Sequence, residues 1–145
     1  MPQTGNRNDP LANAKFCVEI GMIQEATFTE ASGLEAELDI FEYQEGGNNL
    51  FTHKLPGRVK YPNITLKRGV TTSNDLWIWF EMGTFGKILR QNISIVLYDQ
   101  DGSEVRRWNL INAYPIKWTG PSFDASAKAV SIETVVFAHE GMLPQ

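Results

Sequence analysis

Few groups in this 145-residue chain could do chemistry: Cys17, His53, His139 and a row of carboxylates at Glu35, Glu37 and Asp39. A reactive thiolate needs a base or a cation beside it, and the residues around Cys17 offer none. Cys17 lies in the apolar run Phe16-Cys17-Val18-Glu19-Ile20 and reads as a small buried hydrophobe. As the sole cysteine it forms no disulfide within the chain. His53 and His139 share no metal-site spacing with each other or with Cys17. Gly83-Thr84-Phe85-Gly86-Lys87 lacks the spacing of a phosphate-binding loop, and there is no Gly-x-Ser-x-Gly elbow. Glu35 and Glu37 could act as the acid and base of a glycosidase, but that work needs a cleft and an aromatic platform, for which a small regular β domain is a poor setting. The sequence predicts no enzyme, no cofactor and no metal.

The composition narrows the classes further. The net charge of −4 is weak ground for a nucleic-acid binder, because a phosphate backbone selects for concentrated Lys and Arg. Arg58, Lys60, Lys67 and Arg68 form a local basic stretch that a solvated strand face explains as well. Hydrophobic residues at 42% and charged residues at 21% are ordinary for a globular domain. The polar residues 1–12 lack the apolar stretch of a signal peptide, and no run is long enough to span a bilayer as a helix. The expectation is a chain made in the cytosol, without a membrane anchor, that leaves a cell by lysis or through a dedicated machine.

The elements that must position these groups read as mainly β. Residues 1–13 form a polar N-terminal arm, and 14–145 a single domain. Strands are expected at Phe16 to Ile20 and at Gln24 to Ala31, with Phe28 central to the second. From Leu34 to Ile40 the chain alternates: Leu34, Ala36, Leu38 and Ile40 on one face, Glu35, Glu37 and Asp39 on the other. The apolar face is expected to be buried. The acidic face is either solvated or a working surface that lines a channel or meets a basic neighbour.

Glu45-Gly46-Gly47-Asn48-Asn49 reads as a loop tip, and Pro56-Gly57 as a turn. Ile64 to Arg68 is a strand ended by Gly69. Thr71-Thr72-Ser73-Asn74-Asp75 is a helix start, with Thr72 or Ser73 as the cap and Asp75 at the positive end. The helix carries Leu76, Trp77, Trp79, Phe80 and Met82 and stops near Gly83. Trp77 and Trp79 cannot both face the same core. One packs inward; the other is covered by the preceding loop or by a neighbouring subunit. Gln91 to Tyr98 and Val105 to Ile111, which carries Trp108, form a hairpin around Asp99-Gln100-Asp101-Gly102. Ala113 to Trp118 follows as an edge or irregular strand, because Pro115 has no N–H to donate. Val130 to His139 is the last strand. Seven or eight short strands and one helix suit an antiparallel sandwich or barrel with a packed helix.

Taken in order, a set of short motifs then carries a resemblance across nearly the whole chain. They are Asp9-Pro10-Leu11, Phe16 with the Val18 and Ile20 strand, Phe28, Ser32-Gly33-Leu34, Tyr43-Gln44-Glu45-Gly46-Gly47, Lys54-Leu55-Pro56-Gly57, Ile64-Thr65-Leu66-Lys67-Arg68-Gly69, Leu76-Trp77-Ile78-Trp79 and Asn112-Ala113-Tyr114-Pro115-Ile116-Lys117-Trp118. The chain resembles the tail tube proteins of contractile phages and extracellular contractile injection systems. The resemblance implies a β-barrel or sandwich with one helix, assembled as hexameric rings stacked into a hollow tube inside a contractile sheath. It implies sheath, baseplate or initiator, and tail-terminator proteins as partners. Protein cargo would occupy the lumen, with DNA in transit if the particle is a phage, and the tube would be driven through a target envelope.

On this reading the arm and the loop from Glu42 to Lys60 are stacking elements, with Glu45, Gly46, Gly47, Asn48, Asn49, Lys54 and Arg58 as its contact residues. Glu35, Glu37 and Asp39 face the lumen or the seam between rings, and Lys67 and Arg68 are their basic partners. Trp77, Trp79, Trp108 and Trp118 are packing or interface aromatics. The alternatives are a type VI secretion tube protein that carries effectors, and a monomeric β-sandwich binding module.

Overall fold

The computed structural model describes residues 15–144 apart from 22, 27, 45, 48–49 and 127–129. The N-terminal arm therefore lies outside the described residues. The elements are β1 (Lys15–Ile20), β2 (Ile23–Ala26), β3 (Glu30–Ser32), β4 (Glu37–Tyr43), β5 (His53–Lys60), β6 (Ile64–Gly69), α1 (Asp75–Thr84), β7 (Gln91–Tyr98), β8 (Glu104–Thr119), β9 (Ile132–Ala138) and β10 (Gly141–Pro144). Every strand pair is antiparallel.

Eight strands form one curled sheet in the order β2-β1-β7-β8-β9-β6-β3, with β10 added against β8. Its inner face contributes Val18, Ile20, Ile93, Ile95, Leu110, Ile64, Leu66, Val135 and Phe137 to a single core. Leu76 and Trp79 of α1 join that core. They lie three apart, so both point to one helix face. Burying side chains of this size stabilises the fold by roughly 1.5–3 kcal/mol each before the entropy of ordering is charged.

Four expectations change. Gln24 to Ala31 is not one strand: β2 and β3 sit at opposite ends of the sheet, and Phe28 between them is buried in the core as the chain crosses over. The helix cap is Asn74, not Thr72 or Ser73, and no side chain caps the first turn. Thr71 Oγ1 instead accepts the Ser73 N–H at 3.2 Å within the preceding loop. Val105 to Ile111 and Ala113 to Trp118 form one strand, β8. It bends at Asn112, which takes a φ of 51°. Asn112 is held there by its N–H donating to Asn92 Oδ1 at 3.1 Å and its amide donating to Glu140 at 2.8 Å. Ala113, just beyond the bend, pairs with Gln91 of β7, and Tyr114 to Thr119 pair with β9, with a register shift just after Pro115, which suits a residue that cannot donate. Finally, Pro56-Gly57 is not a turn but lies inside β5.

Candidate assembly surface

β4 and β5 pair only with each other, as a two-stranded sheet separate from the large one. The chain leaves the sandwich at Gly33, whose φ is 96° and where a Cβ would collide with the Asn63 carbonyl. Leu34 still packs against the core, but Ala36, Leu38 and Ile40 do not. Leu38 is 49% and Ile40 60% exposed. The expected burial of this apolar face is thus overturned. The alternation is present, but no layer among the described residues lies under it.

The register explains where the side chains point. Leu38 opposes Val59, and Ile40 opposes Pro56, so β5 carries one extra residue at this place. A bulge of this kind shifts the parity of the strand that contains it. Gly57 sits in the bulge, where a Cβ would stand 3.0 Å from the Asp39 carbonyl oxygen. One face of the hairpin then holds Leu38, Ile40, Pro56 and Val59 at its base and the facing pair Glu42 and Lys54 toward its tip. The other face holds Glu37, Asp39 and Lys60 at its base and Phe41, Leu55, Tyr43 and His53 toward its tip. Phe51 packs edge-on against the His53 ring, with centroids 5.1 Å apart.

The acidic row falls at the root of this hairpin. Glu35 is exposed ahead of β4, Glu37 opposes Lys60, and Asp39 bridges Lys60 at 3.1 Å. Lys54 and Arg58 are exposed on β5, and Gly46 and Gly47 form the turn. Glu45, Asn48 and Asn49 lie outside the described residues.

Lys67 and Arg68 are not partners of the row within the chain. They are neighbours on β6 and so point to opposite faces. Lys67 pairs with Glu30 at 3.6 Å. Arg68 is buried, opposite Glu133 on β9, and its Nε donates to Glu133 Oε1. Trp118 Nε1 donates to the other Glu133 oxygen at 3.2 Å, and the Arg68 guanidinium lies 5.9 Å from the Phe28 ring centre. Sequence reasoning missed Glu133. The available signal was its shared parity with Val135 and Phe137.

The tryptophans divide by depth. Trp79 is buried, 5.2 Å from the Phe137 ring, and its Nε1 donates to the Leu89 carbonyl at 2.6 Å. Trp77 is partly exposed and meets Trp118 edge-on at 4.9 Å. Trp108 packs against the core under Arg106, whose guanidinium is 5.3 Å from its ring centre. Two apolar hollows open beside α1, one toward each of its ends. One, of about 460 Å³, is walled by Val70, Trp77, Trp118 and Phe123. The other, of about 300 Å³, is walled by Phe80, Ile88, Leu89 and Ile116.

The remaining reactive groups have local structural contacts. The Cys17 sulfur and the Tyr98 hydroxyl share a hydrogen bond of 3.6 Å, which holds the phenol above its ordinary titration range. His139 lies between the Gly141 and Pro62 carbonyls at 3.1 and 3.2 Å. Among the described residues no cluster of His, Cys, Asp and Glu could hold a metal ion, and no helix is long and apolar enough to cross a membrane.

The family model of the T4-like virus tail tube protein gp19 matches residues 12–143. The chain belongs to that family. Its tail tube fold is repeated closely in solved assemblies. A chain in the cryo-EM structure of the anti-feeding prophage cap, the AFP tube terminating cap, is 30% identical over 99% of this chain and 95% of its own, with a TM-score of 0.89. A chain in the sheath-tube complex of the extracellular contractile injection system PVC, in its extended state, is 29% identical over 94% of this chain and 91% of its own, with a TM-score of 0.84. Hcp1 from Flavobacterium johnsoniae is 14% identical with a TM-score of 0.59 over 89% of this chain and 93% of its own, a likeness of fold alone. Comparison with curated proteins found no match. This tail tube protein is a structural component of a contractile particle, and its family is one of structural rather than catalytic proteins.

Proposed function

We propose that the chain is the repeating subunit of an inner tube, in which residues 14–145 act as one domain, close into hexameric rings and stack along an axis inside a sheath. The observation that carries this reading is the chain-length likeness to a protein of a sheath-tube complex, at 29% identity. The head-to-tail contacts this requires close into a ring when their rotation allows and extend into a stack along the axis. The loop from Glu42 to Lys60 is the stacking element, supported by its extended, exposed hairpin. Glu35, Glu37 and Asp39, at the root of that hairpin, face the seam between rings, with basic partners on a neighbouring copy.

Sheath, baseplate and terminator proteins are the other partners, supported by relatives drawn from cap, baseplate and sheath-tube structures. The subunit is made in a bacterial cytoplasm, carries cargo or DNA only through the lumen, and is driven through an envelope when the sheath contracts. Negative-stain microscopy and sedimentation of the purified protein test the reading. Rings or tubes are expected. A monomer that stays a monomer at high concentration overturns it in favour of a binding module.

A further inference from the structure

The half-buried ring of His139 faces two backbone carbonyls at once. Its Nδ1 lies 3.1 Å from the Gly141 oxygen and its Nε2 lies 3.2 Å from the Pro62 oxygen, both within hydrogen-bonding range. A carbonyl oxygen only accepts, so each ring nitrogen must donate. The imidazolium carries two N–H groups and satisfies both carbonyls. A neutral imidazole carries one, and turns the lone pair of its other nitrogen toward an oxygen. Histidine is the side chain whose charge ordinarily changes between about pH 5 and 8.

The two carbonyls are unequally anchored. Gly141 opens β10 and pairs with Ile111, and the Glu140 N–H beside it donates to the Ile111 carbonyl at 2.9 Å. Pro62 belongs to residues 61–63, which lie between β5 and β6 outside any ladder. That connection is the root of the β4–β5 hairpin. The returning limb ends at Lys60, and the outgoing limb passes at Gly33 close against the Asn63 carbonyl. The ring thus reaches from the β9–β10 turn, 77 positions along the chain, to the place where the hairpin leaves the large sheet.

The titratable and charged groups around the ring have partners of their own. Tyr61, from the same connection as Pro62, packs a tilted ring on His139 with centroids 5.7 Å apart. Glu140, in the turn, accepts from Arg90 at 2.7 Å and from the Asn112 amide at 2.8 Å. Tyr114 of β8 stands opposite Ala138, with the Arg90 guanidinium 4.7 Å from its ring centre. The nearest β6 pairing, Ile64 with Phe137, is apolar.

We propose that His139 is a proton-operated clasp on the root of the hairpin. Protonated, it ties Pro62 to the β9–β10 turn. Neutral, it keeps the anchored Gly141 carbonyl through Nδ1 and releases Pro62. The clasp therefore stabilises the subunit in acid, and that stabilisation is lost as the pH rises through the titration of the ring. It belongs to the single subunit and operates whether or not rings form. In an assembled tube the same proton sets how firmly the stacking hairpin is carried.

The test follows dilute, heavy-nitrogen-labelled His53→Gln protein, in which His139 is the one histidine, by NMR from about pH 5 to about pH 8. At the acid end both ring nitrogens are expected to carry protons; at the alkaline end Nδ1 alone. The amides that follow the two carbonyls report on their bonds. The Asn63 amide signal is expected to move with the ring, and the Met142 amide signal to move much less. An Asn63 signal indifferent to the ring, or a neutral ring that keeps its proton on Nε2, overturns the clasp. Urea unfolding of the unaltered protein and of His139→Gln gives a second measurement. Glutamine has no proton to lose, and the other titrating groups are common to both chains. Across the range the unfolding constant of the unaltered protein is expected to rise roughly three- to tenfold more than that of the variant. Parallel pH profiles for the two proteins count against the clasp.

Discussion

Arg68 and Glu133 stand opposite each other on β6 and β9, both buried, as an ion pair inside an otherwise apolar core. One guanidinium nitrogen of Arg68 has no hydrogen-bond acceptor among the described residues. Removing one partner of a buried pair strands the other charge, which costs about 3–5 kcal/mol. Arg68→Met and Glu133→Leu should each lower the unfolding free energy of the dilute subunit, read from urea titration, by that much. The double variant should recover most of the loss, because no charge is then left alone. A double variant less stable than either single one would show that the pair does more than compensate its own desolvation.

Trp79 and Trp77 should separate cleanly in the same measurement. Trp79 fills the core and holds the loop after α1 through its bond to Leu89. Trp79→Ala is expected to cost about 3–5 kcal/mol. Trp77→Ala removes a partly exposed aromatic contact with Trp118 and should cost only about 0.5–1.5 kcal/mol. Equal losses would contradict the depth assigned to the two rings.

Gly33 and Gly46 offer a contrast between two glycines of the same segment. Gly33 has φ 96°, which alone costs a non-glycine residue about 1–2 kcal/mol, and its Cβ position is occupied by the Asn63 carbonyl. Gly46 has no neighbour near a Cβ. Gly33→Ala should sharply reduce soluble folded protein. Gly46→Ala should change stability by no more than about 0.5 kcal/mol. Thermal melts of the two soluble fractions decide it.

The acidic row is predicted to matter for assembly and not for the subunit. The Asp39–Lys60 bridge is exposed, so its loss should cost at most about 1 kcal/mol. Glu35→Gln, Glu37→Gln and Asp39→Asn made together should leave the melt nearly unchanged while lowering tube yield and flattening its salt dependence. Unchanged tube yield and unchanged cargo loading would sink the functional role of the row.

Local signals made part of this fold readable in advance. The i, i+3 pair Leu76 and Trp79 with Asp75 at the start marked the helix, and Asp99 with Gly102 marked the β7–β8 turn, where Asp99 Oδ1 accepts the N–H groups of Asp101 and Ser103. What escaped were features set by distant chain. β5 hid behind Pro56 and Gly57, which read as a turn because a bulge opposite Asp39 leaves no local mark. β8 looked broken because the contacts that hold its bend come from Asn92 and Glu140. β10 is too short to register a period. The alternation of Leu34 to Ile40 was legible, but a period says only which residues share a face. Nothing in it says whether the cover comes from the same chain. The partners that Lys67 and Arg68 meet within the chain, Glu30 and Glu133, escaped for the related reason that they lie on other strands.

β8 also bears on time. Its first half waits for β7 and β10 and its second half for β9, while β6 has no second neighbour until β9 arrives. Ile64 must find Phe137, and Phe16 must find Leu97, across long stretches of chain. Pairing of this kind is slow, because loop closure precedes any reward from contact. The β4–β5 hairpin, by contrast, pairs locally and can form early, its apolar residues already outward. The subunit is therefore adhesive before it is finished, and its maturation is a race between completing the sheet and meeting another copy.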